Sequence, residues 1–419
     1  MPDPRKVRAC IIGDVCGGRY YHLGDEAMFT ANVDAFRQKF PNVTMTALSE
    51  NAEFCERVHG IPCLEIPHPG SPLSLTCHHL IKPRSFFRSW TRQRTLQRVV
   101  RRALRDCDVL IISGAGNLAS QFKHQVNYKT IAARIAISLG KRVIVLGQTL
   151  GPEIDALTGR LLRGWLPDVD LLCLRDRISS PAIAAYLDVD ETKILLCPDD
   201  AFSLRPSHEP ELRDFDIRGG FAILSCYGPK GDEFGLHAKF YAAAVNHLTA
   251  KHNMKVVFLP HVRRSTERND DRVFADLIGS QVIRREWFHV DNSELSDRDV
   301  AAITRRAKFV LSSRYHGVVF ALAAQKPCLA VYQDEYSRTK LAGALDWTPN
   351  AQARLRSVKW PSGPERCIDA LLLRTTSASD SISHLEGYEK HKWHRIGSII
   401  ERTSAESPMS KSFDTQSYV

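Results

Sequence analysis

The strongest constraint on this chain is a repeating alternation of short apolar runs with longer stretches of helical period. Residues 7–12, 43–48, 108–113 and 141–147 have strand character, and 171–174 and 193–196 are shorter versions. Between the first two, residues 24–40 set Ala27, Met28, Ala31, Val33, Phe36 and Phe40 at helical spacing; 126–139 and 179–187 also predict helices. Strand, helix, strand in this order predicts βαβ units on a parallel sheet. Residues 203–219, with Pro206, Pro210, several charges and a Gly pair, interrupt the rhythm. It restarts with strands at 220–226, 255–259, 308–311 and 327–332 and helices at 236–252, 266–278, 296–307 and 317–325. The expectation is an α/β chain of two Rossmann-like domains, 1–205 and 219–375, joined by a linker at 206–218 and facing a central cleft. Each domain is expected to be a parallel sheet with helices on both faces. An amphipathic helix in 376–402 is expected to pack back across the first domain. The Ser-rich stretch 403–419 has no apolar period and is expected to be disordered.

The 419 residues carry 57 Lys and Arg against 47 Asp and Glu, a formal charge of +10 that suits an anionic partner. No run approaches the roughly 18 apolar residues of a membrane span. The first ten residues lead into a strand with no apolar leader, and the 11 cysteines are scattered without a CxxC pair. Both features predict a cytoplasmic chain with buried thiols rather than a disulfide framework.

Residues 82–105 stand apart: nine cations (Lys82, Arg84, Arg88, Arg92, Arg94, Arg98, Arg101, Arg102, Arg105) and no acid, interleaved with Phe86, Phe87, Trp90, Leu96, Val99, Val100 and Leu104. One reading is peripheral contact with the inner face of a membrane. The other is a solvated helix covering the sheet, its Arg stems lying along apolar neighbours. Nucleic acid is not expected, because no binding module surrounds the run.

Ligands of two-domain α/β proteins lie beyond the carboxyl ends of the strands, so the residues after each strand matter most. After the first come Gly13-Asp14 and then Leu23-Gly24-Asp25-Glu26-Ala27, where glycine admits close backbone approach and Asp25 either caps the helix or meets a ligand. Ser113-Gly114-Ala115-Gly116-Asn117-Leu118-Ala119 matches the dinucleotide fingerprint, but no acid ends the next strand, and a glycine turn beside the cleft is expected instead. Gln148 in Gly147-Gln148-Thr149-Leu150-Gly151-Pro152 can donate and accept. Arg175 ends another strand and can fork onto a carboxylate or phosphate, with Asp176 expected to orient it. Asp199 and Asp200 follow the next strand and either place a base or cap a turn. In the second half, His261 and Arg263 follow a strand. Ser313-Arg314-Tyr315-His316 gathers a cation, an imidazole and a helix start that together suit a small anion. Tyr336 and Lys340 add a further cation. The Asp168/Asp170 and Asp188/Asp190 pairs resemble metal-clamping DxD motifs but have no supporting strand-and-glycine setting, and no His/Cys metal signature is present.

As an ordered set, Leu23-Gly24-Asp25-Glu26-Ala27, Gly147-Gln148 with Gly151-Pro152, Leu174-Arg175-Asp176 with Ser179, Asp200-Ala201-Phe202, Ser313-Arg314-Tyr315-His316, Gln325-Lys326-Pro327, and Tyr336 with Lys340 resemble the polysaccharide pyruvyl transferase family. The resemblance implies a fold like that of GT-B glycosyltransferases. It implies transfer of pyruvate from phosphoenolpyruvate onto two hydroxyls of a sugar, oligosaccharide or lipid-linked glycan as a ketal, in exopolysaccharide or cell-surface glycan assembly. It places Arg314 and His316 in the donor motif with Arg175 facing them. Two departures, the glycine-and-tyrosine loop at 16–22 and the basic insert at 82–105, bear on the acceptor. The chemistry needs cations for a carboxylate and a phosphate, and an acid for the enol carbon. His316, Arg175, Arg314 and Asp25 are therefore the expected catalytic residues. Gly24, Gln148, Asp200, His261, Arg263, Ser313, Tyr336 and Lys340 are expected to bind donor or acceptor, with no metal and no cofactor. A nucleotide-sugar glycosyltransferase of the same architecture, or a non-catalytic scaffold of a polysaccharide assembly complex, are the alternatives.

Overall fold

The computed structural model describes the chain except residues 1–4, 16–19, 68–82, 209, 211, 213–214, 216–219, 230–232, 265–269, 349–353, 374–378 and 406–419. Two parallel sheets carry the fold. The first takes β1 (Val7–Ile12), β3 (Val43–Ser49), β4 (Cys63–Glu65), β5 (Val109–Ile112), β7 (Arg142–Leu150), β8 (Leu171–Leu174) and β9 (Ile194–Leu196) in the order β4-β3-β1-β5-β7-β8-β9. A short β6 (Ala115–Leu118) pairs beside β7, where the sequence predicts only a turn. The second sheet runs β13-β11-β10-β14-β15-β16, built from β10 (Phe221–Ser225), β11 (Lys255–Phe258), β13 (Phe288–Val290), β14 (Phe309–Ser312), β15 (Cys328–Tyr332) and β16 (Leu355–Ser357). The chain reverses its direction of growth between β1 and β5 in one sheet and between β10 and β14 in the other. Those reversal points open crevices at the strands' carboxyl ends.

Strand alternation divides each sheet's apolar residues between two faces. Cys10 and Ile12 join one core cluster with Leu96, Val100 and Ala132, while Val7, Ala9 and Ile11 join another with Phe29, Phe36 and Trp393. In the second sheet Ala222 and Leu224 pack with Tyr241 and Phe274, and Phe221 and Ile223 pack with Val300, Val318 and Val319. Helices therefore cover both faces of both sheets.

The helix α1 (Leu23–Lys39) is shared. Phe29, Val33 and Phe36 enter the first domain's core, while Leu23, Ala27, Met28 and Ala31 enter a core dominated by the second. With apolar residues on all sides it is a buried axle rather than a surface helix. A two-stranded antiparallel ribbon, β2 (Tyr20–His22) with β12 (Val262–Arg264), ties the two domains together beside it.

The last helix, Ser379–Ala405, crosses back onto the first domain: Trp393 meets Phe36 at 5.3 Å edge-on, and Ile396, Ile399 and Ile400 are buried there. It continues through 403–405, which the sequence assigns to a disordered tail; 406–419 lie outside the described residues. Within the basic helix Pro83–Arg105, Leu96, Val100, Ala103 and Leu104 are buried in the first core, whereas Arg92, Arg94, Arg98, Arg101, Arg102 and Arg105 are exposed. Its described half is thus the sheet-covering helix; Lys82 lies outside the described residues. Of the expected linker, 209, 211, 213–214 and 216–218 also lie outside them, as does the start of the helix expected from 266, whose described part is Asp271–Gly279. The described cysteines are free thiols, all buried except Cys367; Cys16 and Cys77 lie outside the described residues. No described helix is long and apolar enough to cross a membrane.

Candidate active site between the domains

The centre of the cleft is a carboxylate from one domain meeting cations from both. Asp199, just after β9, is 1% exposed. Its Oδ1 accepts the Ala201 amide at 2.9 Å, and its Oδ2 accepts Arg175 Nη1 at 2.6 Å. His316 Nε2, at the start of the helix Tyr315–Ala323 in the second domain, lies 3.6 Å from the same oxygen. Residues 175 and 316 therefore converge on one atom. Burial pushes the Asp199 carboxyl up, but the Arg175 guanidinium, with His316, overrides it and holds the group well below the usual range.

Arg175 is held on every side described. Its Nε donates to Thr149 Oγ1 at 2.9 Å, and Nη1 also meets Met28 Sδ at 3.1 Å. The Tyr315 ring covers the guanidinium at 4.2 Å. A Cβ at Gly116 would lie 2.5 Å from Arg175 Nη2 and 2.6 Å from Lys340 Nζ, so both cations press against that glycine. Lys340 Nζ donates to Tyr336 Oη at 3.2 Å, and Tyr336 donates to the Gly116 carbonyl at 3.2 Å. His316 packs on the backbone of α1: a Cβ at Gly24 would lie 1.8 Å from its Nδ1. His316 is 4% exposed and its Nε2 has no hydrogen-bond partner among the described residues.

A second layer fixes the helix start. Arg314 forks onto Asp271 and stacks on Tyr227 at 4.6 Å. The other lone pairs of Asp271 Oδ2 accept the His261 and Val262 amides at 3.0 and 2.9 Å. Ser313 Oγ accepts the Tyr227 amide at 3.3 Å. His22 Nδ1 lies 3.1 Å from Asp25 Oδ2. Burial lowers the His22 imidazole, against the pull of Asp25, and the nearby cations Arg314, His316 and Lys340 push the same way. Burial also drives His261 well below its ordinary value, with Arg314, His316 and His22 adding to it. Arg175 and Arg314 are each paired with a buried carboxylate, Asp199 and Asp271, and Lys340 adds a further cation beside Arg175.

Several expected residues sit elsewhere or act differently. Asp176 does not orient Arg175: it caps the next helix, accepting the Ile178 and Ser180 amides at 2.9 and 3.0 Å, and Asp199 takes its place. Asp200 is fully buried behind the cleft, where Oδ2 accepts Asn32 Nδ2 at 2.9 Å and Oδ1 meets Lys392 Nζ at 3.2 Å. Burial raises its carboxyl despite Lys392, and Asp199 pushes the same way. Gln148 is buried, donating to the Ser113 carbonyl at 2.8 Å while its Oε1 has no described partner. Arg263 turns away from the centre: it donates to the Ser293 and Leu295 carbonyls at 3.2 and 2.8 Å and stacks on Tyr21 at 4.2 Å. Sequence reasoning missed Lys392, His22, Thr149 and the Asp14–Lys129–Asn117 cluster, in which buried Lys129 Nζ donates to Asp14 at 2.8 Å and to Asn117 at 2.6 Å. Among the described residues, the group spaced to hold a metal is His247, His252 and Asp369, just ahead of β11 at the amino end of the second sheet, opposite the cleft.

Among solved structures, this chain is similar in fold to a Staphylococcus aureus MnaA–UDP complex (9% identity, TM-score 0.59, 96% of this chain and 99% of that one). It is also similar to UDP-GlcNAc 2-epimerase from Methanocaldococcus jannaschii (11%, 0.57, 92% and 100%) and to Arabidopsis thaliana UGT89C1 complexed with UDP-L-rhamnose (10%, 0.56, 95% and 99%). At such identities the likeness concerns the two-domain GT-B architecture alone. No curated protein matches the chain. The sequence model of polysaccharide pyruvyl transferases matches residues 22–335, a span that holds Arg175, Asp199, Arg314 and His316 and stops just short of Tyr336 and Lys340. The chain therefore belongs to the polysaccharide pyruvyl transferase family.

Proposed function

We propose that this chain transfers pyruvate from phosphoenolpyruvate to two hydroxyls of a sugar, free or in an oligosaccharide or lipid-linked glycan, forming a cyclic ketal in cell-surface or exopolysaccharide assembly. The observation that carries the reading is the convergence of Arg175 and His316 on Asp199 beneath Lys340. Arg175, Lys340 and the His316 imidazole, gathered around Asp199, suit a three-carbon ligand bearing a carboxylate and a phosphate.

The first sugar hydroxyl adds to C2 of the enol while a proton goes to C3, giving a carbon that bears methyl, carboxylate, sugar oxygen and phosphate. The C2–O bond to phosphate then breaks, phosphate keeping the electron pair. The second hydroxyl closes the ketal and gives its proton to a base. His316 supplies the proton or steadies the departing phosphate, with Asp199 balancing the imidazolium. Arg175 Nη2 and Lys340 hold the anions. Arg314 acts by fixing the helix start through Asp271, and Asp25 with His22 takes the sugar proton. No step calls for a metal. The protein works on the cytoplasmic side, and peripheral contact of 82–105 with the membrane's inner face is compatible with this reading.

Labelled phosphoenolpyruvate and labelled nucleotide sugars, each offered with a panel of galactosides, glucosides and mannosamine derivatives, separate this from glycosyl transfer. Release of inorganic phosphate matched by acid-labile label on the sugar is the expected result. Label entering only from a nucleotide sugar overturns it.

A further inference from the structure

A cavity of about 520 Å³ lies beside the catalytic hollow, walled by Tyr21 and Phe54 on one side and by Glu26 and Asp297 on another. That volume falls in the roughly 300–1,000 Å³ range of small-molecule sites and far exceeds one water. The β2–β12 ribbon borders both places. Successive strand residues point to opposite faces: His22 turns to Asp25 in the hollow, while Tyr21 and its cross-strand neighbour Arg263 line the cavity.

Its chemistry is unlike that of the hollow. Of the three lining guanidiniums, Arg263 lies on two main-chain carbonyls, Arg272 on Asp270 through Nε and Nη2 at 2.8 and 2.5 Å, and Arg57 over the Phe54 ring at 5.7 Å. Carboxylates from four lining residues offset them, so an anionic donor finds no excess of positive charge here. Tyr21 and Phe54 stand edge to face at 6.4 Å, a rigid apolar corner. Asp297, 4% exposed, has its Oδ1 on the Arg298 amide at 2.9 Å, with the Thr30 hydroxyl beside its carboxyl. A carboxylate has lone pairs for several donors, so Asp297 can also accept from a ligand hydroxyl. Aromatic surface beside carboxylate acceptors, without net positive charge, fits a neutral polyhydroxylated ligand.

We infer that this cavity is a subsite for a neutral sugar residue of the acceptor glycan, adjacent to the one that is modified. The inference rests on the acceptor being a glycan, as proposed above, but not on the identity of the donor.

The test is ligand-observed saturation-transfer NMR on the full chain. Lactose, cellobiose and α-1,2-mannobiose are each compared with the corresponding methyl monosaccharide, and phosphoenolpyruvate binding is followed separately by its phosphorus signal. At least one disaccharide is expected to bind about ten-fold tighter than its monosaccharide. Phe54→Ala and the isosteric Asp297→Asn should each cut that advantage to about two-fold or less. Both should keep the unfolding temperature within a few degrees and leave phosphoenolpyruvate binding unchanged. No preference for any disaccharide, or a preference intact in both variants, overturns the subsite. A disaccharide preference that the variants abolish, in a protein that does not bind phosphoenolpyruvate, supports the subsite and removes the pyruvyl donor instead.

Discussion

At the scale of single residues, His316 and Asp199 matter through what surrounds them. The buried Arg175 guanidinium holds Asp199 anionic, and His316 Nε2 lies 3.6 Å from that carboxylate, so the imidazole faces a fixed negative charge. Removing a donor aimed at developing charge typically costs a factor of about 100–1,000 in turnover. His316→Ala is expected to lose that much in phosphate release from phosphoenolpyruvate while melting near the parent; activity close to the parent's rejects the assignment. Positions just after strands pointed to Arg175 and His316 in advance, because the parallel-sheet rule needs only strand ends. Arg175's partner was not legible. Asp176 is its neighbour in sequence, yet the chain turns there, and the carboxylate goes to the amides of the following helix. Asp199 reaches the guanidinium only because β8 and β9 lie side by side.

Among elements, α1 and the last helix carry the site from behind. Gly24 in α1 is a poor helix residue, and alanine there gains up to about 1 kcal/mol of propensity. But the added methyl would overlap the His316 ring, itself packed near Phe320 and Tyr315. Gly24→Ala is expected to lower turnover at least ~10-fold for little change in unfolding temperature; a parent-like rate means the ring moves freely. In the last helix, Lys392 is fully buried, as is Asp200; the two pair with each other, Lys392 also with Glu389 and Asp200 also with Asn32. Breaking one side of such a pair costs about 3–5 kcal/mol, far more than replacing both. Lys392→Met should lower the urea midpoint accordingly, and Lys392→Met with Asp200→Asn should recover much of it. Neither partner was legible as a pair, since nothing local links positions 192 residues apart. The basic helix 83–105 had two readings because its apolar stripe suits either a sheet or a bilayer. Leu96, Val100 and Leu104 are committed to the core, so only charge remains for lipid on its described half. Flotation with phosphatidylserine vesicles is expected at low salt, to vanish at about 0.5 M salt and in Arg98→Glu/Arg101→Glu/Arg102→Glu; salt-resistant flotation contradicts a purely electrostatic contact.

For the whole molecule, acid is the expected weakness. Burial, the largest cause, holds the His59 imidazole down to about 4, Arg298 and Arg37 adding to it against Asp297 and Asp34. The unfolded value is near 6.5. Between those values the unfolded chain binds more protons, so stability rises with pH across the window and is lost as pH falls through it. At about 1.4 kcal/mol per unit, His59 contributes on the order of 3 kcal/mol. Burial also lowers His22, His237 and His261, which act in the same direction. Asp199, held low, adds a further loss once pH drops beneath the unfolded carboxylate value of about 3.9. Urea midpoints should fall steadily from pH 6.5 toward 4, and His59→Gln should flatten part of that slope; an unchanged slope excludes His59 as a contributor. The two-domain layout itself was legible, because two runs of alternating strands and helices define two sheets. The shared axle α1 was not, since its composition suits burial against one sheet as well as two.

The return of the closing helix to the first sheet also orders events at the ribosome. Domains tend to fold as they emerge, amino-terminal end first. Here the sheet that carries Asp199 and Asp200 leaves the exit tunnel long before Lys392 and Trp393 do. Until then a buried acid lacks its counter-ion and an apolar face stands open, so the first domain takes its final form only once the closing helix has emerged.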